Sequence, residues 1–555
     1  MPAVLRRIYA ARGIGDAKEL EHRLEGLHHM RSLGGLEAAV DLLAAAVTGG
    51  QRVLIVGDFD ADGATSSAVA LRALRAMGLE RAGYLVPNRF EYGYGLSPEI
   101  VAVAARECPD VIVTVDNGVS SVAGVAAARE HGIRVVVTDH HLPGEILPAA
   151  DAMVNPNLPG DAFPSKHLAG VGVIFYVMLA LRARLQRDGW LDGGRRAAPN
   201  MADLLDLVAL GTVADVVPLD RNNRVLVSQG LRRIRAGRAC PGVLELLRAG
   251  DRDPARAVAA DLAFAAGPRL NAAGRLEDMS LGIECLCTDA PGRAAQLAGR
   301  LDALNRERRE IEGRMGQEAH AYLEGMRLDD SGLPVGLCLY DPAWHQGVVG
   351  ILASRVKERL HRPVIAFARS GEGELKGSAR SVAGMHMRDV IDAVATRHPG
   401  LVGRFGGHAM AAGLSLPEPC YEDFARAFDE EARRWLDEDA LEGVIHSDGE
   451  LAPEELTLET AHLLRDGGPW GQGFPEPVFD GEFEVLERRI VGERHLKLSL
   501  DAGDGSRALE AIAFNQAETG LPAERCRVRA AYRVDVNAFR GRERLQLIVE
   551  HLEPV

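Results

Sequence analysis

Cysteine, long apolar runs and net positive charge are all in short supply in this chain. Seven cysteines in 555 residues form an odd set in which only Cys285 and Cys287 lie close together. Neither a disulfide framework nor a CxxC zinc site is indicated. The longest apolar run, Leu168 to Leu181, is 14 residues and stops at Arg182, short of the roughly 20 that a bilayer crossing needs. Arg6 and Arg7 near the start are not followed by a sustained apolar stretch and a small-residue cleavage site, so a cytoplasmic protein with no membrane association is expected. With 64 basic against 79 acidic residues the formal charge is -15, at first sight a poor match to a phosphate backbone. Carboxylates gathered around bound cations would remove much of that objection. From Arg221 to Arg256, moreover, nine arginines stand against Glu245, Asp251 and Asp253. That run is either a local attraction for phosphates or a solvated helical face. Aromatics, at 5% of the chain, leave few residues for stacking.

What is present is enough apolar material, 47% of the residues, for several domains rather than one. After a helical opening, the segment from Arg52 to about Val217 repeats a short β-branched run, a polar turn and a helical stretch. The runs RVLIVGD, VIVTVDNG and RVVVTDHH are too short and too evenly apolar for amphipathic helices. They predict an α/β fold with a parallel sheet covered by helices on both faces, where ligands sit beyond the carboxyl ends of the strands. Residues 291–328 hold a long amphipathic helix, marked by Leu297, Leu301, Leu304, Ile311, Met315, Tyr322 and Met326. A second α/β region follows at 329–440. From 443 to 555, alternating runs such as HLKLSL, ALEAIAF and RLQLIVEHL predict a small antiparallel barrel of the OB-fold kind. The expected layout is a helical segment 1–50, a sheet domain 51–290, the connecting helix, the second α/β domain and the barrel.

Each of the three β-branched runs ends in an aspartate. VGDFDADG places Asp58, Asp60 and Asp62 at alternate positions, VDNG adds Asp116, TDHH adds Asp139, His140 and His141, and GTVADVVPL adds Asp215. Like charges this close repel unless cations are held among them. A single aspartate at a strand end is often just the N-cap of the next helix, but four acidic turns together argue against that explanation. Carboxylates with imidazole and no thiolate favour Mn²⁺ or Mg²⁺ over structural zinc. Two such ions about 3.5 to 4 Å apart would clamp a phosphoryl group.

At these residues the chain resembles the DHH phosphoesterase superfamily, whose triplet is Asp139-His140-His141. The segments GPRLNAAGRLEDMS, HQGVVGILASRVKERLHRPVIAF, KGSARS, GGHAMAAGLS, GPWGQGFPEP and VGERHLKL resemble the RecJ family of single-strand-specific exonucleases, over essentially residues 50 to 555. That resemblance implies a catalytic DHH domain, a DHHA1 substrate-binding domain and an OB-fold domain. It implies a 5′ to 3′ exonuclease that degrades single-stranded DNA to mononucleotides in recombination and repair. By motif, Asp116 would bridge the two ions, with Asp60, supported by Asp58, on one side and Asp62, His140 and Asp215 on the other. Asp139 and His141 would support the ligands or contact phosphate. Val56 stands where some DHH proteins have a histidine.

The same resemblance puts a 5′-phosphate and substrate pocket at Arg89, Ser378, Arg380, Gly407, His408 and Arg275. Gly407 and Gly413 would let backbone N-H groups approach a phosphate, or else serve close packing. Single-strand selectivity is expected from a cleft too narrow for a duplex, lined by aromatic and basic groups. Trp344, His345 and Phe405 are candidates there, each equally a core residue. In the barrel, Trp470, Phe474, Arg494, His495, Lys497, Phe539, Arg540 and Arg542 are candidate contacts or ordinary barrel residues. Partners implied by family likeness are single-stranded DNA, a single-strand-binding protein and a RecQ-type helicase, with the chain acting as a monomer. Two other readings compete: a phosphodiesterase for short or cyclic oligonucleotides, whose relatives lack the barrel, and a silent single-strand-binding scaffold, whose relatives lose metal ligands.

Overall fold

The computed structural model describes the chain apart from residues 88–94, 195, 328–332, 372, 408, 438, 493–494, 504–507, 518–524 and 540. The three β-branched runs form β1 (Val53–Gly57), β3 (Val111–Val115) and β4 (Arg134–Thr138), with β2 (Ala82–Leu85) and β5 (Ala152–Val154) completing a sheet in the order β2-β1-β3-β4-β5. Every pairing is parallel. Strand side chains alternate between faces. Leu54, Val56, Ile112, Val135 and Val137 therefore enter one core with Ile100, Val101 and Val125 of helices Pro98–Ala105 and Val122–Glu130. Helices Ala61–Ala76 and Gly170–Arg187 lie against the sheet as well, with β1 and β3 wholly buried. This double burial is why the runs show no polar alternation. Val56, at the position where some DHH proteins have histidine, is part of that apolar core.

Beyond β5 the region is helical, including a π-turn at Leu262–Ala266 that leads into helix Gly267–Leu276. The long amphipathic helix runs Pro291–Arg327, burying Leu297, Leu301, Leu304 and Met315. Two compact units divide within it. Residues 1–274, 278–302 and 445–555 form one, and 275–277 with 303–444 form the other. Among the described residues no helix is long and apolar enough to cross a membrane.

The terminal barrel belongs to the same unit as the parallel sheet. It closes in the order β11-β12-β13-β15-β14 from β11 (Phe479–Val491), β12 (His495–Asp501), β13 (Ala508–Ala513), β14 (Cys526–Phe539) and β15 (Arg542–Pro554). Only β13 and β15 pair in parallel. The chain start is stitched to the segment leading into the barrel: Arg12 forms a buried pair with Asp448 at 2.7 Å, and Tyr9 donates its hydroxyl to Gly467 O at 2.8 Å. Leu219 N donates to Gln472 O at 2.7 Å.

The arginine run resolves toward structure. Arg224 is buried, donates to Leu219 O and lies 4.4 Å over the Phe474 ring. Arg233 pairs with Asp203 and Arg252 with Asp261, Arg235 donates to Ala257 O, Arg248 pairs with Glu245, and Arg256 pairs with Glu543 of the barrel. Six of the nine guanidiniums are thus engaged within the protein. Opposite charges met during folding, so sequence proximity overstated the charge left for a ligand.

The second unit carries a mixed sheet, β6-β7-β8-β10-β9, from β6 (Leu337–Tyr340), β7 (Val364–Arg369), β8 (Glu374–Arg380), β9 (Arg404–Gly407) and β10 (Ala411–Pro417). Only β6 and β7 are parallel.

Candidate metal centre and substrate-binding residues

The carboxyl ends of β1, β3 and β4 bring the acidic turns together. Asp60 caps helix Ala61–Ala76, accepting from Gly63 N at 3.0 Å. Asp62, in the first turn of that helix, accepts from Gly170 N at 2.6 Å and Val171 N at 3.0 Å, at the start of helix Gly170–Arg187. Helix N-termini stabilise negative charge, so this contact holds Asp62 in place. Asp116 has φ 60, a left-handed backbone for a residue with a side chain, which costs of order 1–3 kcal/mol and persists where function or packing demands it. Only a glycine fits beside it, because a Cβ on Gly170 would lie 2.6 Å from the Asp116 Cβ. Asp215 ends helix Leu205–Ala214. His140 Nε2 lies 3.1 Å from Asp116 Oδ1 and 3.5 Å from Asp215 Oδ2.

Donor atoms fall into overlapping groups of Asp58, Asp60 and Asp116, of Asp62, His140 and Asp215, and of Asp116, His140 and His141, each within 4.8 Å. Burial, then the Asp62, Asp60, Asp215 and Asp58 charges, push the Asp116 carboxyl well above its ordinary range. Burial and the same kind of repulsion raise Asp215. Asp62 is pushed up to about 7, by burial first and Asp60 second. Asp215 Oδ2 is a buried atom without a hydrogen-bond donor among the described residues. Hard oxygen donors, imidazole and repulsion among carboxylates fit divalent cations of the Mn²⁺ or Mg²⁺ kind.

Asp139 behaves differently. Burial raises its carboxyl, but hydrogen bonds from His141 Nδ1 at 2.8 Å, Val119 N at 2.8 Å and His141 N at 3.1 Å outweigh that and hold it below the ordinary range. It also accepts from His140 N at 2.7 Å. Asp139 thus orients the two histidines rather than facing the acidic cluster. Burial lowers His141, but the Asp139 hydrogen bond and neighbouring carboxylates win, so its net shift is upward.

Sequence reasoning missed four asparagines that support this centre. Asn117 Nδ2 donates to Val56 O and Val115 O, tying the ends of β1 and β3. Asn155 donates to His141 O and Asn157 to His140 O, at 2.8 and 2.6 Å. Asn271 Oδ1 accepts from Ala61 N at 2.7 Å. Asn155 and Asn157 follow β5 as the aspartates follow their strands, a signal available in NPN; Asn271 had none.

In the second unit, Arg380 and Ser378 of β8 do converge. Arg380 is mostly buried, which lowers its pKa, and it donates to Ser354 Oγ at 3.2 Å, Ser378 Oγ at 3.1 Å and Ala379 O at 2.8 Å. Arg275 donates to Gly347 O at 3.0 Å, and His345 Nδ1 accepts from Gly347 N at 3.1 Å. Gly407 has φ 148, and any Cβ there would collide with Ala411 and Ala412. Packing between β9 and β10 therefore requires it, while Gly413 faces open space. Arg89, His408, Arg494, Arg540 and the Phe539 side chain lie outside the described residues.

Several aromatic candidates pack within the protein, the alternative the sequence also allowed. Trp344 is 6% exposed, donates to Glu318 and packs with Leu337, Leu339 and Leu352. Phe405 packs against the other core of that sheet. Trp470 and Phe474 stack with Tyr9, and Trp470 donates to Leu464 O. Apolar ring area was worth more buried than offered to a ligand. In the barrel, Lys497 pairs with Glu510 at 2.9 Å, Arg542 is exposed at the start of β15, and His495 meets the half-exposed Phe514 edge-on at 5.2 Å.

A parallel sheet with these acidic turns at its carboxyl edge belongs to the class of DHH proteins. The model of the DHH family, N-terminal domain, matches residues 52–212, the DHHA1 domain 334–438 and the RecJ OB domain 447–551. The chain belongs to the RecJ family. It is 59% identical to the single-stranded-DNA-specific exonuclease RecJ of Dickeya dadantii, over 100% of this chain and 96% of that protein. Crystal structures of RecJ from Thermus thermophilus with Mn²⁺ and with Mg²⁺ superpose with TM-scores of 0.81 and 0.75, at 31% and 29% identity. Each match covers 99% of this chain, and 76% and 74% of the respective Thermus chains.

Proposed function

We propose that the chain is a 5′ to 3′ exonuclease specific for single-stranded DNA, using two Mn²⁺ or Mg²⁺ ions and releasing mononucleotides in recombination and repair. The observation that carries this is the meeting of Asp58, Asp60, Asp62, Asp116, His140 and Asp215 within ligand distance of one another, in a chain so close to enzymes of that name. Bound there, divalent ions supply positive charge to phosphoryl oxygens and make water a better nucleophile.

The chain's own residues do the rest. Asp116, common to two donor groups, bridges the halves of the centre. Asp60 with Asp58 serves one half, and Asp62, His140 and Asp215 the other. Asp139 accepts the His141 Nδ1 proton, which leaves the other ring nitrogen for a phosphate oxygen, and the raised His141 pKa favours the cation that would stabilise developing charge. Arg380 and Ser378, with Arg275, receive a terminal 5′ phosphate, and Arg89 and His408 are the further phosphate contacts that the family motifs imply. Arginine's planar fork suits two parallel hydrogen bonds. The OB barrel, together with Lys497, Arg494 and Arg540, holds the DNA farther along, a role without purpose for a short cyclic substrate. Domain roles follow the expected boundaries: catalysis in 51–290, substrate binding in 329–440 and strand binding in 443–555. The proposed setting is cytoplasmic, with the chain acting as a monomer; a single-strand-binding protein and a RecQ-type helicase are the partners that family likeness implies.

The test is nucleotide release from 5′-labelled and 3′-labelled single strands, with Mn²⁺ and with chelator. Release from the 5′ end only, in Mn²⁺ only, is expected. Equal digestion of a blunt duplex, or release that survives chelation, would overturn the reading.

A further inference from the structure

Two exposed apolar side chains lie on segments that adjoin the helix ending at Asp215. Val216, the next residue, has φ 62 and is 63% exposed. A β-branched residue in the left-handed region is strained, and an exposed side chain recovers none of that cost by burial. Phe264 is 75% exposed, the most exposed phenylalanine among the described residues. It sits in the π-turn Leu262–Ala266, where Leu262, Ala265 and Ala266 remain buried. The widened turn rotates Phe264 out of the apolar stripe its neighbours share, a distortion frequent at functional sites.

Both segments adjoin the helix that presents Asp215. Directly after the π-turn, a Cβ on Gly267 would stand 3.1 Å from the Ala214 Cβ, which sets the turn against the end of the helix that presents Asp215. The helix continuing from the turn carries Asn271, whose side chain holds Ala61 N in the acidic loop.

We infer that Phe264 is a stacking platform for an unpaired base of the DNA strand on its way to the acidic centre, and so a determinant of single-strand specificity. The inference rests on the nuclease reading above for its ligand. An aromatic face stacks on any base regardless of sequence. A base inside a duplex already has its faces and its pairing edge engaged, so it can reach such a platform only after unpairing. Lone exposed aromatics are common on protein surfaces. The π-turn that carries it, and the contacts of the helix continuing from that turn with Ala214 and with Ala61 N, separate this one from that background.

The experiment is equilibrium binding of 5′-phosphorylated single strands carrying 2-aminopurine at successive positions, with Ca²⁺ in place of Mn²⁺ to limit cleavage. Fluorescence quenching should peak at one nucleotide near the 5′ end, vanish in Phe264→Ala with about tenfold weaker binding, and return in Phe264→Trp. Quenching and affinity in Phe264→Ala equal to the parent's would overturn the platform, as would a failure of Trp to restore what Ala removes. A parent protein that shows the quench yet releases no nucleotides in Mn²⁺ would sink the nuclease reading and leave the platform standing.

Discussion

The acidic turns at the ends of β1, β3 and β4 and the arginine run from Arg221 to Arg256 are both dense in charge, yet they end in opposite states. Within the acidic centre, the strongest charges acting on Asp116 and Asp215 are other carboxylates. The arginines instead find Asp203, Glu245, Asp261, Glu543, backbone carbonyls and an aromatic ring. Charge satisfied inside the fold contributes to structure, whereas charge that folding leaves in conflict awaits a ligand. A count of residues along the chain cannot separate the two.

That contrast can be broken in order of effect. Asp116→Ala should lower Mn²⁺-dependent nucleotide release on the order of 10⁴-fold, the scale of removing one member of a catalytic unit, in a single-turnover assay. The same variant should lose the stabilisation that Mn²⁺ gives the parent, about 2.7 kcal/mol at a hundredfold excess over Kd, read as a shift in Tm. If Asp116→Ala still gains as much from Mn²⁺, the acidic region is not the ion site. Supporting residues come next. Asn271→Ala and Gly170→Ala should weaken Mn²⁺ binding about 10- to 100-fold, as outer supports of metal ligands do, measured by calorimetric titration.

In chelator, the acidic centre should also give a sign the arginine run cannot. Asp62 is pushed from its ordinary 3.8 to about 7 in the fold. The folded state therefore binds more protons than the unfolded one between about pH 4 and pH 7, and stability falls as pH rises through that window. Tm of the chelated protein should drop from about pH 5 to about pH 7, and Mn²⁺ should flatten the slope. A chelated protein whose Tm rises over that window would contradict the repulsion argument. Smallest are the arginine effects. Arg224→Ala should cost about 1–3 kcal/mol in urea unfolding, because a buried donor set is lost, with turnover per folded molecule unchanged. Arg248→Ala, at an exposed pair with Glu245, should cost under about 1 kcal/mol.

The sheet strands β1, β3 and β4 were legible because double burial leaves an unmistakable apolar run, whereas β2 and β5, of four and three residues, are too short to show one. Asp60 and Asp62 were legible as parts of an acidic turn because local spacing after a strand places them. For Phe474 and Trp344 the sequence left ligand contact and core both open, because an aromatic residue's burial depends on partners such as Arg224, Tyr9 and Glu318, which are remote in sequence.

By itself the amino-acid order determined the strand ends, their aspartates and the family motifs, since these depend on residue type and near-neighbour spacing. Tertiary structure decided which groups Asp139 meets, the His141 ring and the backbone N-H groups of Val119, His140 and His141. It also decided that the arginines are mostly engaged internally and that Phe264 faces solvent. Those outcomes turn on which distant groups come within a few ångströms, and charge and burial act over distance in space rather than along the chain.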